Sequence, residues 1–453
     1  MAQKPHCLAV VLAAGLGTRM KSELPKVLHE IGGLPLVGHV MQAVNAAGAD
    51  RTAVVVGPDM PQLEAVVAQM DHAASTYVQV NRQGTADALR AAEPAFSGFQ
   101  GDVLVVFGDT PLVQAQSFAL LREKLSQGAA LAVLGFEAKD PTGYGRLLMQ
   151  GDELVAIREH KDASEAERQV TLCNAGIMAF KAEHLQKLLA MITNDNANEE
   201  FYLTDAVEHA VNLGLSVVVA TAPEEEVQGI NNRAQLAACE AVFQTRKRTA
   251  AMLGGVTLQA PETVYFSYDT QLAPDVLVEP NVVFGPAVEV ASGASIRAFS
   301  HLEHCNVAAQ ATIGPYARLR PGANIGEGAR IGNFVEIKNA EIAQGAKVNH
   351  LSYIGDASIG SKTNIGAGTI TCNYDGYLKH KTQIGENCFI GSNSILVAPL
   401  SIGDGVTSAA GSTLTRNVPQ DALAIARPQQ ENKEGAAPRI RARLEAKKRA
   451  KTK

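Results

Sequence analysis

Ile313-Gly-Pro-Tyr-Ala-Arg-Leu319-Arg-Pro-Gly-Ala-Asn-Ile325-Gly-Glu-Gly-Ala-Arg-Ile331-Gly-Asn-Phe-Val-Glu-Ile337 places an aliphatic residue at every sixth position. With small slips the pattern continues at Ile342, Val348, Ile354, Ile359 and Ile365, and it resumes at Ile384, Ile390, Leu396 and Ile402. Gly follows the aliphatic residue at Gly326, Gly332, Gly385 and Gly403. Small residues precede the next one by two positions, as at Ala317, Ala323 and Ala329. A six-residue period specifies a parallel β-helix, with three short strands per coil and the aliphatic side chains stacked inside. The register breaks at length once, at ITCNYDGYLKHKTQ, residues 370–383. A coil that needs only packing has no use for such an insertion. Its Asn373, Tyr374, Lys379 and His380 are expected to reach out from the solenoid, and loops inserted into repeats usually lie on the binding face.

Upstream the texture differs. Residues 232–252 hold no Gly or Pro and have helical periodicity, which predicts one long connecting helix stopped by Gly254-Gly255. Residues 6–230 alternate short apolar strands with helical segments. Strands are expected over His6–Ala14, Arg51–Val56, Gly101–Phe107, Leu131–Phe136 and Leu215–Ala220, and helices over Pro35–Gly48 and Met60–Met70. That alternation implies a mostly parallel, doubly wound sheet, with ligands beyond the carboxyl ends of its strands. The expected division is therefore 1–230, a linker helix 231–253, a solenoid 254–430 and a basic tail 431–453. The tail carries nine Lys/Arg against three Glu and is expected to be solvated and mobile.

The chain has 453 residues, enough for two or three domains. Apolar residues make up 46% and charged residues 19%, which excludes wholesale disorder. The net charge of −6 gives no reason to expect nucleic acid as a partner. No run of about 18 uncharged apolar residues exists, so no membrane-spanning helix is expected. Met1–Cys7 leads into an apolar strand without a signal-peptide pattern. The six cysteines, Cys7, Cys173, Cys239, Cys305, Cys372 and Cys388, include no C-x-x-C pair and read as free thiols in a reducing cytoplasm.

The first strand runs into Leu12-Ala13-Ala14-Gly15-Leu16-Gly17-Thr18-Arg19-Met20, followed by Pro25-Lys26. A Gly-rich turn after a buried strand lets backbone N–H groups approach phosphate oxygens. Arg19 and Lys26 would add positive charge where it builds on a transferring phosphoryl group. The Gly–Lys–Ser/Thr ending of the Walker loop is missing, and so is the third Gly of the dinucleotide fingerprint. Phe107-Gly108-Asp109 puts an acid at a strand end. Alone, Asp109 could equally be a turn acid or a helix cap. Oxygen ligands such as Asp109 and Asn231 suit Mg²⁺.

The whole string resembles the L-x-x-G-x-G-T-R-M-x4-P-K motif of sugar-nucleotide pyrophosphorylases. Gln79 with Gly84-Thr85, Phe107-Gly108-Asp109, Gly143-Tyr144-Gly145-Arg146, Glu159-His160-Lys161-Asp162, Asn174-Ala175-Gly176-Ile177, Glu200–Asp205 and Asn231-Asn232-Arg233 follow in that family's order. Together with RLRPG (318–322), GNFVEIKNA (332–340), NHLSYIGDA (349–357), NIGAGTITCNYDG (364–376) and AIARPQ (424–429), they resemble the bifunctional N-acetylglucosamine-1-phosphate uridyltransferases and glucosamine-1-phosphate acetyltransferases. The resemblance covers residue 6 to about 430.

The resemblance implies a Rossmann-like α/β nucleotidyltransferase domain, a linker helix and a left-handed parallel β-helix of hexapeptide repeats. It implies acetyl transfer from acetyl-CoA to glucosamine 1-phosphate in the second half. In the first half UMP from UTP would join N-acetylglucosamine 1-phosphate, giving UDP-N-acetylglucosamine, a cell-envelope precursor, and pyrophosphate. Leu12, Ala13, Ala14, Gly15, Lys26, Gln79, Gly84, Thr85, Phe107, Gly108 and Asp109 would surround the uridine nucleotide. Gly145, Glu159 and Asn174 would hold the sugar, and Asp109 and Asn231 would bind Mg²⁺. Arg320, Lys338, Tyr353, Asn364, Ala367, Asn373, Tyr374 and Lys379 would hold the sugar phosphate and the acetyl end of the cofactor. Ser392, Ala410 and Arg427 would line the coenzyme A site, and a homotrimer is implied. His350 would be the general base, since an ammonium must lose a proton before attacking a thioester, with Glu336 orienting its ring. A His on a solenoid coil can also serve packing alone. Two positions depart from the family's pattern: Phe107 stands where Tyr is common, and Asp87 where His is expected.

Overall fold

The computed structural model describes residues 6–151 and 153–451. Residues 1–5 and the last two residues of the tail lie outside them. The chain forms two compact units, 1–250 with 265–269, and 251–264 with 270–453.

The first unit is built on a sheet whose strands run, edge to edge, Val217–Thr221, Leu131–Glu137, Leu172–Lys181, Asp102–Phe107, Cys7–Leu12, Arg51–Val56 and Ser75–Val78. All neighbours are parallel except Leu172–Lys181, which is antiparallel to both of its own. Cys7–Leu12 is buried throughout because helices cover both faces. Cys7, Ala9 and Val11 enter one core, while Leu8, Val10 and Leu12 enter the other, the two-residue alternation of a strand. The first strand and both helices are shorter than expected: Cys7–Leu12, Leu36–Ala46 and Pro61–Met70. Leu172–Lys181 breaks register between Asn174 and Met178.

The long helix is present, over Arg233–Leu253. Its early turns are not a free spacer. Cys239 joins Met20, Ile31, Leu36, Leu112 and Ile230 in a buried cluster, with Leu236, Val242 and Phe243 packed against it. Buried Gln244 exchanges hydrogen bonds with the backbone of Phe266, at 2.7 and 2.8 Å, so the segment 265–269 is held in the first unit.

In the second unit the six-residue period becomes three ladders. Ile296, Ile313, Ile331, Val348, Ile365 and Ile390 stack in one. Leu302, Leu319, Ile337 and Ile354 form a second. Val290, Val307, Ile325, Ile342, Ile359, Ile384 and Ile402 form the third. Corners are turned by residues at positive φ, including Tyr316, Phe334 and Leu351.

The expected insertion 370–383 is narrower in the structure. Ile370–Cys372 and Thr382–Ile384 remain ladder strands, because their alternate side chains still fill the coil interior. Asn373 does not reach out as expected: it is buried. The projecting part is closed by a bridge between Tyr374 and Lys379. Within the tail, Ala436–Lys451 is a helix with no buried residue. Ala, Arg, Lys, Leu and Glu dominate it, and these are strong helix formers.

Candidate active sites

The strand Cys7–Leu12 opens into the turn Leu12 to Gly15. A side chain at Gly15 would meet nothing within 4 Å, so its glycine leaves the turn's backbone open to a ligand. Gly17 is required sterically: φ is +63° and a Cβ would sit 2.5 Å from Lys26 Cβ. Lys26 Nζ donates to the Asp109 carboxylate and to Asn231 Oδ1 at 3.3 Å, and Arg19 donates to the same Oδ1 at 2.8 Å. Ile230 N–H bonds the Asp109 carbonyl at 3.0 Å, which fastens the segment before Asn231 to the strand end. Four residues spread over the first unit's sequence thus meet at one point.

Two cavities flank that point. One of about 290 Å³ is lined by Leu12, Ala13, Ala14, Gly15, Lys26, Gln79, Gly84, Thr85, Phe107 and Asp109. The other, of about 550 Å³, has Gly145, Glu159 and Asn174 in its wall. Thr85, Phe107, Asp109 and Glu200 belong to both. Gly108 lines neither; its N–H bonds the Leu12 carbonyl at 2.9 Å and joins the two strand ends. Arg82, which the motifs did not single out, lines the smaller cavity and donates from Nε to the Ala14 carbonyl at 2.7 Å.

The larger cavity is built from contiguous contacts. Asn174 N–H bonds the Gly145 carbonyl at 2.8 Å, and a Cβ on Gly145 would stand 3.3 Å from Glu159 Oε1. Burial, and then the negative charges of Asp162, Asp205 and Glu200, push the Glu159 carboxyl above its usual range; the Thr204 hydroxyl, bonded at 3.3 Å, opposes them. The Phe107 ring fills the space beside Gly176, where φ is +76° and a Cβ would lie 2.2 Å from Cε2.

Asp109 and Asn231 both present an oxygen to the Lys26 ammonium, and Asn231 Oδ1 also accepts from Arg19. Among the described residues no group of three or more His, Cys, Asp or Glu could hold a metal. A divalent cation here would complete its shell with water and phosphate oxygens, as Mg²⁺ does.

In the solenoid His350 ends the strand Lys347–His350, and its Nδ1 bonds Asn333 Oδ1 at 2.8 Å. With Asn333 Oδ1 as the acceptor, Nδ1 carries the proton and Nε2 is left as the basic atom. This corrects the expected role of Glu336. Its carboxylate accepts from Arg320 at 2.7 Å, because Glu336 stands next to Arg318 and Tyr353 in the ladder, not next to His350.

Asn373 donates to the Asp356 carboxylate and, at 3.5 Å, to the Tyr353 hydroxyl. Burial works to raise Asp356, but bonds from Asn339 and Asn373 and the charges of Lys338 and Lys379 hold it below the usual range. The neighbouring Lys379 ammonium, with desolvation, pulls Lys338 down. Arg320, Lys338 and Lys379 therefore form a cationic group suited to a phosphate. Tyr374 is exposed at the start of the projecting loop, whose Asp375 accepts from the Leu378 and Tyr377 N–H groups and from His380.

Ladder register places the remaining residues. Val348, Ile365 and Ile390 are paired in series, and the pairing of Phe389 with Thr407 sets Ser408 next on the following coil. Two positions beyond them lie His350, Ala367, Ser392 and Ala410, one per coil. Coils rise about 4.8 Å each, so this stripe is long enough for an extended cofactor. Arg427 closes it, donating to the Ala410 carbonyl at 3.0 Å. Asn364, which pairs with Phe389, lies on the same sheet.

Comparison with known proteins gives matches in both halves. Residues 9–172 match the model of the MobA-like NTP transferase domain, and residues 381–416 that of the hexapeptide repeat of succinyl-transferase. Relatives named "Bifunctional protein GlmU" align over nearly the full chain. That of Bradyrhizobium sp. (strain ORS 278) is 56% identical over 96% of this chain and 97% of its own length. The Azorhizobium caulinodans protein is 57% identical over 96% and 97%. The Jannaschia sp. (strain CCS1) protein is 50% identical over 100% of both.

Proposed function

The chain belongs to the family of bifunctional GlmU proteins, and on that premise we infer the chemistry of each site. The protein is a bifunctional enzyme. It acetylates glucosamine 1-phosphate with acetyl-CoA, and it transfers UMP from UTP to N-acetylglucosamine 1-phosphate with release of pyrophosphate. The observation that carries the assignment of residues is the shared wall of the two cavities. Asp109 stands between the phosphate-approaching turn and the pocket of Gly145, Glu159 and Asn174.

In uridyl transfer, the nucleotide lies against Leu12 to Gly15, Gln79, Gly84 and Thr85, and the sugar against Gly145, Glu159 and Asn174. A phosphate oxygen of the sugar attacks the α-phosphorus of UTP, and the bond to the bridging oxygen of pyrophosphate breaks. Arg19 and Lys26 stabilise the charge that builds during this exchange. Asp109 and Asn231 would hold Mg²⁺, which neutralises phosphate charge when bound. With nucleotide present, Lys26 is free to turn from Asp109 to the phosphates.

In acetyl transfer, Arg320, Lys338 and Lys379 hold the sugar's phosphate. His350 Nε2 takes the proton of the ammonium. The amine nitrogen then forms its bond to the thioester carbonyl carbon; as the C–S bond breaks the nitrogen loses a second proton, and the coenzyme A sulfur leaves as the thiol. Coenzyme A lies along Ala367, Ser392 and Ala410 towards Arg427. Tyr374, Tyr377 and Leu378 are 61%, 93% and 65% exposed on a loop held rigid by Asp375. Such a surface is suited to burial against a second copy, which supports a homotrimer whose cofactor site lies between chains. A cytoplasmic location and a role in supplying cell-envelope precursors complete the reading. Among the described residues no helix is long and apolar enough to cross a membrane.

Thiol release from acetyl-CoA and pyrophosphate release from UTP, measured separately, test the two halves. Uridyl transfer retained by Asp109→Ala would refute the shared-wall assignment, and a fully active monomer would refute the trimer.

A further inference from the structure

We propose that Asp87 is a positioning residue for uridyl transfer: it locks the Gln79 amide with its carbonyl oxygen facing the nucleotide, and thereby enforces uracil over cytosine. The proposal rests on the reading of the smaller cavity as the uridine nucleotide site.

Gln79 lies just past the strand Ser75–Val78 and is buried, yet it lines that cavity. Its amide nitrogen donates twice, to the Gly84 carbonyl at 3.1 Å and to Asp87 Oδ2 at 2.7 Å. A backbone carbonyl and a carboxylate can only accept. If the amide turned over, its oxygen would face two oxygens and both of its N–H groups would lose their partners. The orientation is therefore fixed by chemistry, without appeal to which amide atom is which. Gln79 Oε1 takes no hydrogen bond from the described residues and remains an acceptor for a ligand. Gly84 N–H, in the same cavity wall, likewise has no acceptor among them.

A donor beside an acceptor reads the pyrimidine edge. Uracil offers O4 as acceptor next to N3–H as donor. Cytosine reverses both, with an amino donor next to an acceptor N3. A locked Oε1 accepts from N3–H of uracil and opposes N3 of cytosine. The Gly84 carbonyl alone would hold one amide hydrogen and leave the second without a partner. Asp87 supplies that partner. Its own placement is secured by the Gln83 N–H, which also donates to Oδ2 at 3.1 Å.

The test compares wild type, Asp87→Asn and Asp87→Ala in uridyl transfer from UTP and from CTP, with acetyl transfer and thermal melting measured on the same preparations. Asn keeps an oxygen for the Gln83 N–H but can also present its own N–H₂ to Gln79, so that only the Gly84 carbonyl still opposes the flipped amide. The expected result is a fall in UTP-over-CTP preference of about 10-fold, the scale of one mispaired hydrogen bond. It should reside mainly in a raised KM for UTP, with kcat and acetyl transfer nearly unchanged. If Asp87 serves only to support the helix Thr85–Ala91, melting temperature falls while the preference stays within about 2-fold in both variants. That outcome overturns the proposal. A wild-type protein without UTP preference would instead overturn the reading of the cavity itself.

Discussion

Replacing Asn333 with Ala removes the acceptor that fixes the His350 tautomer. In the native coil the bond is 2.8 Å long and links the last residues of two paired strands. His350 is solvent-exposed in the single chain, so the bond sits at the ordinary net scale of about 0.5–1.5 kcal/mol. Losing that preference lets the proton move to Nε2 and removes the base from a share of molecules. The expected cost is about 2- to 10-fold in acetyl-transfer kcat/KM, since 1.4 kcal/mol is about tenfold. His350→Ala removes the proposed base itself and should cost about 10²–10⁴-fold. Asn333→Asp keeps an acceptor at the same place and should recover most of the loss. The assay is thiol release from acetyl-CoA, with uridyl transfer by the same protein as control for folding. Suppose Asn333→Ala had the native rate while Glu336→Gln lost 100-fold or more. Glu336, not Asn333, would then orient the ring, and the argument from ladder position would fail.

Asp109→Ala should abolish metal-dependent uridyl transfer and leave acetyl transfer intact; Arg19→Ala should slow uridyl transfer about 10²–10³-fold. Glu159 has a folded-state pKa above its unfolded value because it is buried, so the folded state binds its proton more tightly. Stability then falls as pH rises from the usual Glu value of about 4.3 through the raised one, and the full penalty holds above it. Glu159→Gln should flatten that decline in melts between pH 4.5 and 8 and weaken sugar-phosphate binding; a variant less stable than wild type at neutral pH would contradict this. A fragment ending at residue 230 strips Cys239, Leu236 and Phe243 from the cluster around Met20, Ile31 and Leu36. It should melt lower or aggregate, whereas a fragment ending at 269 keeps the Gln244–Phe266 bonds and should transfer UMP as the full chain does.

Much of the fold was legible because it depends on local period. Alternation of two along Cys7–Leu12 and of six along Ile313–Ile337 needs no knowledge of partners, and both patterns map directly onto ladders. What the pattern missed was where an element goes after it forms. The helix Arg233–Leu253 was readable as a helix, but its mean composition does not tell that Cys239 and Gln244 face a core. Likewise the strand Leu172–Lys181 runs opposite to its neighbours, and no residue within it signals direction. Arg82 went unmarked because an isolated Arg in a turn has no signature until Ala14 is known to lie beside it.

The site in the solenoid shows how a further step could have been taken from sequence. Glu336 was expected beside His350 because an acid orients the ring in other His-based sites and Glu336 lies fourteen residues earlier. Side chains in a solenoid touch one coil apart, and a coil here is close to three periods of six. The contacts obey that length rather than motif membership. Asn333 with His350, Asn339 with Asp356, and Asp356 with Asn373 are each separated by 17 residues, and Arg320 with Glu336 by 16. Each slip of the aliphatic period, as from Ile337 to Ile342, shortens a coil by one residue and so resets which polar side chains face each other. The same slips that blurred the repeat therefore chose the partner of His350. Counting coils from Ile331 to Val348, a step of 17, assigns Asn333 to His350 from the sequence alone.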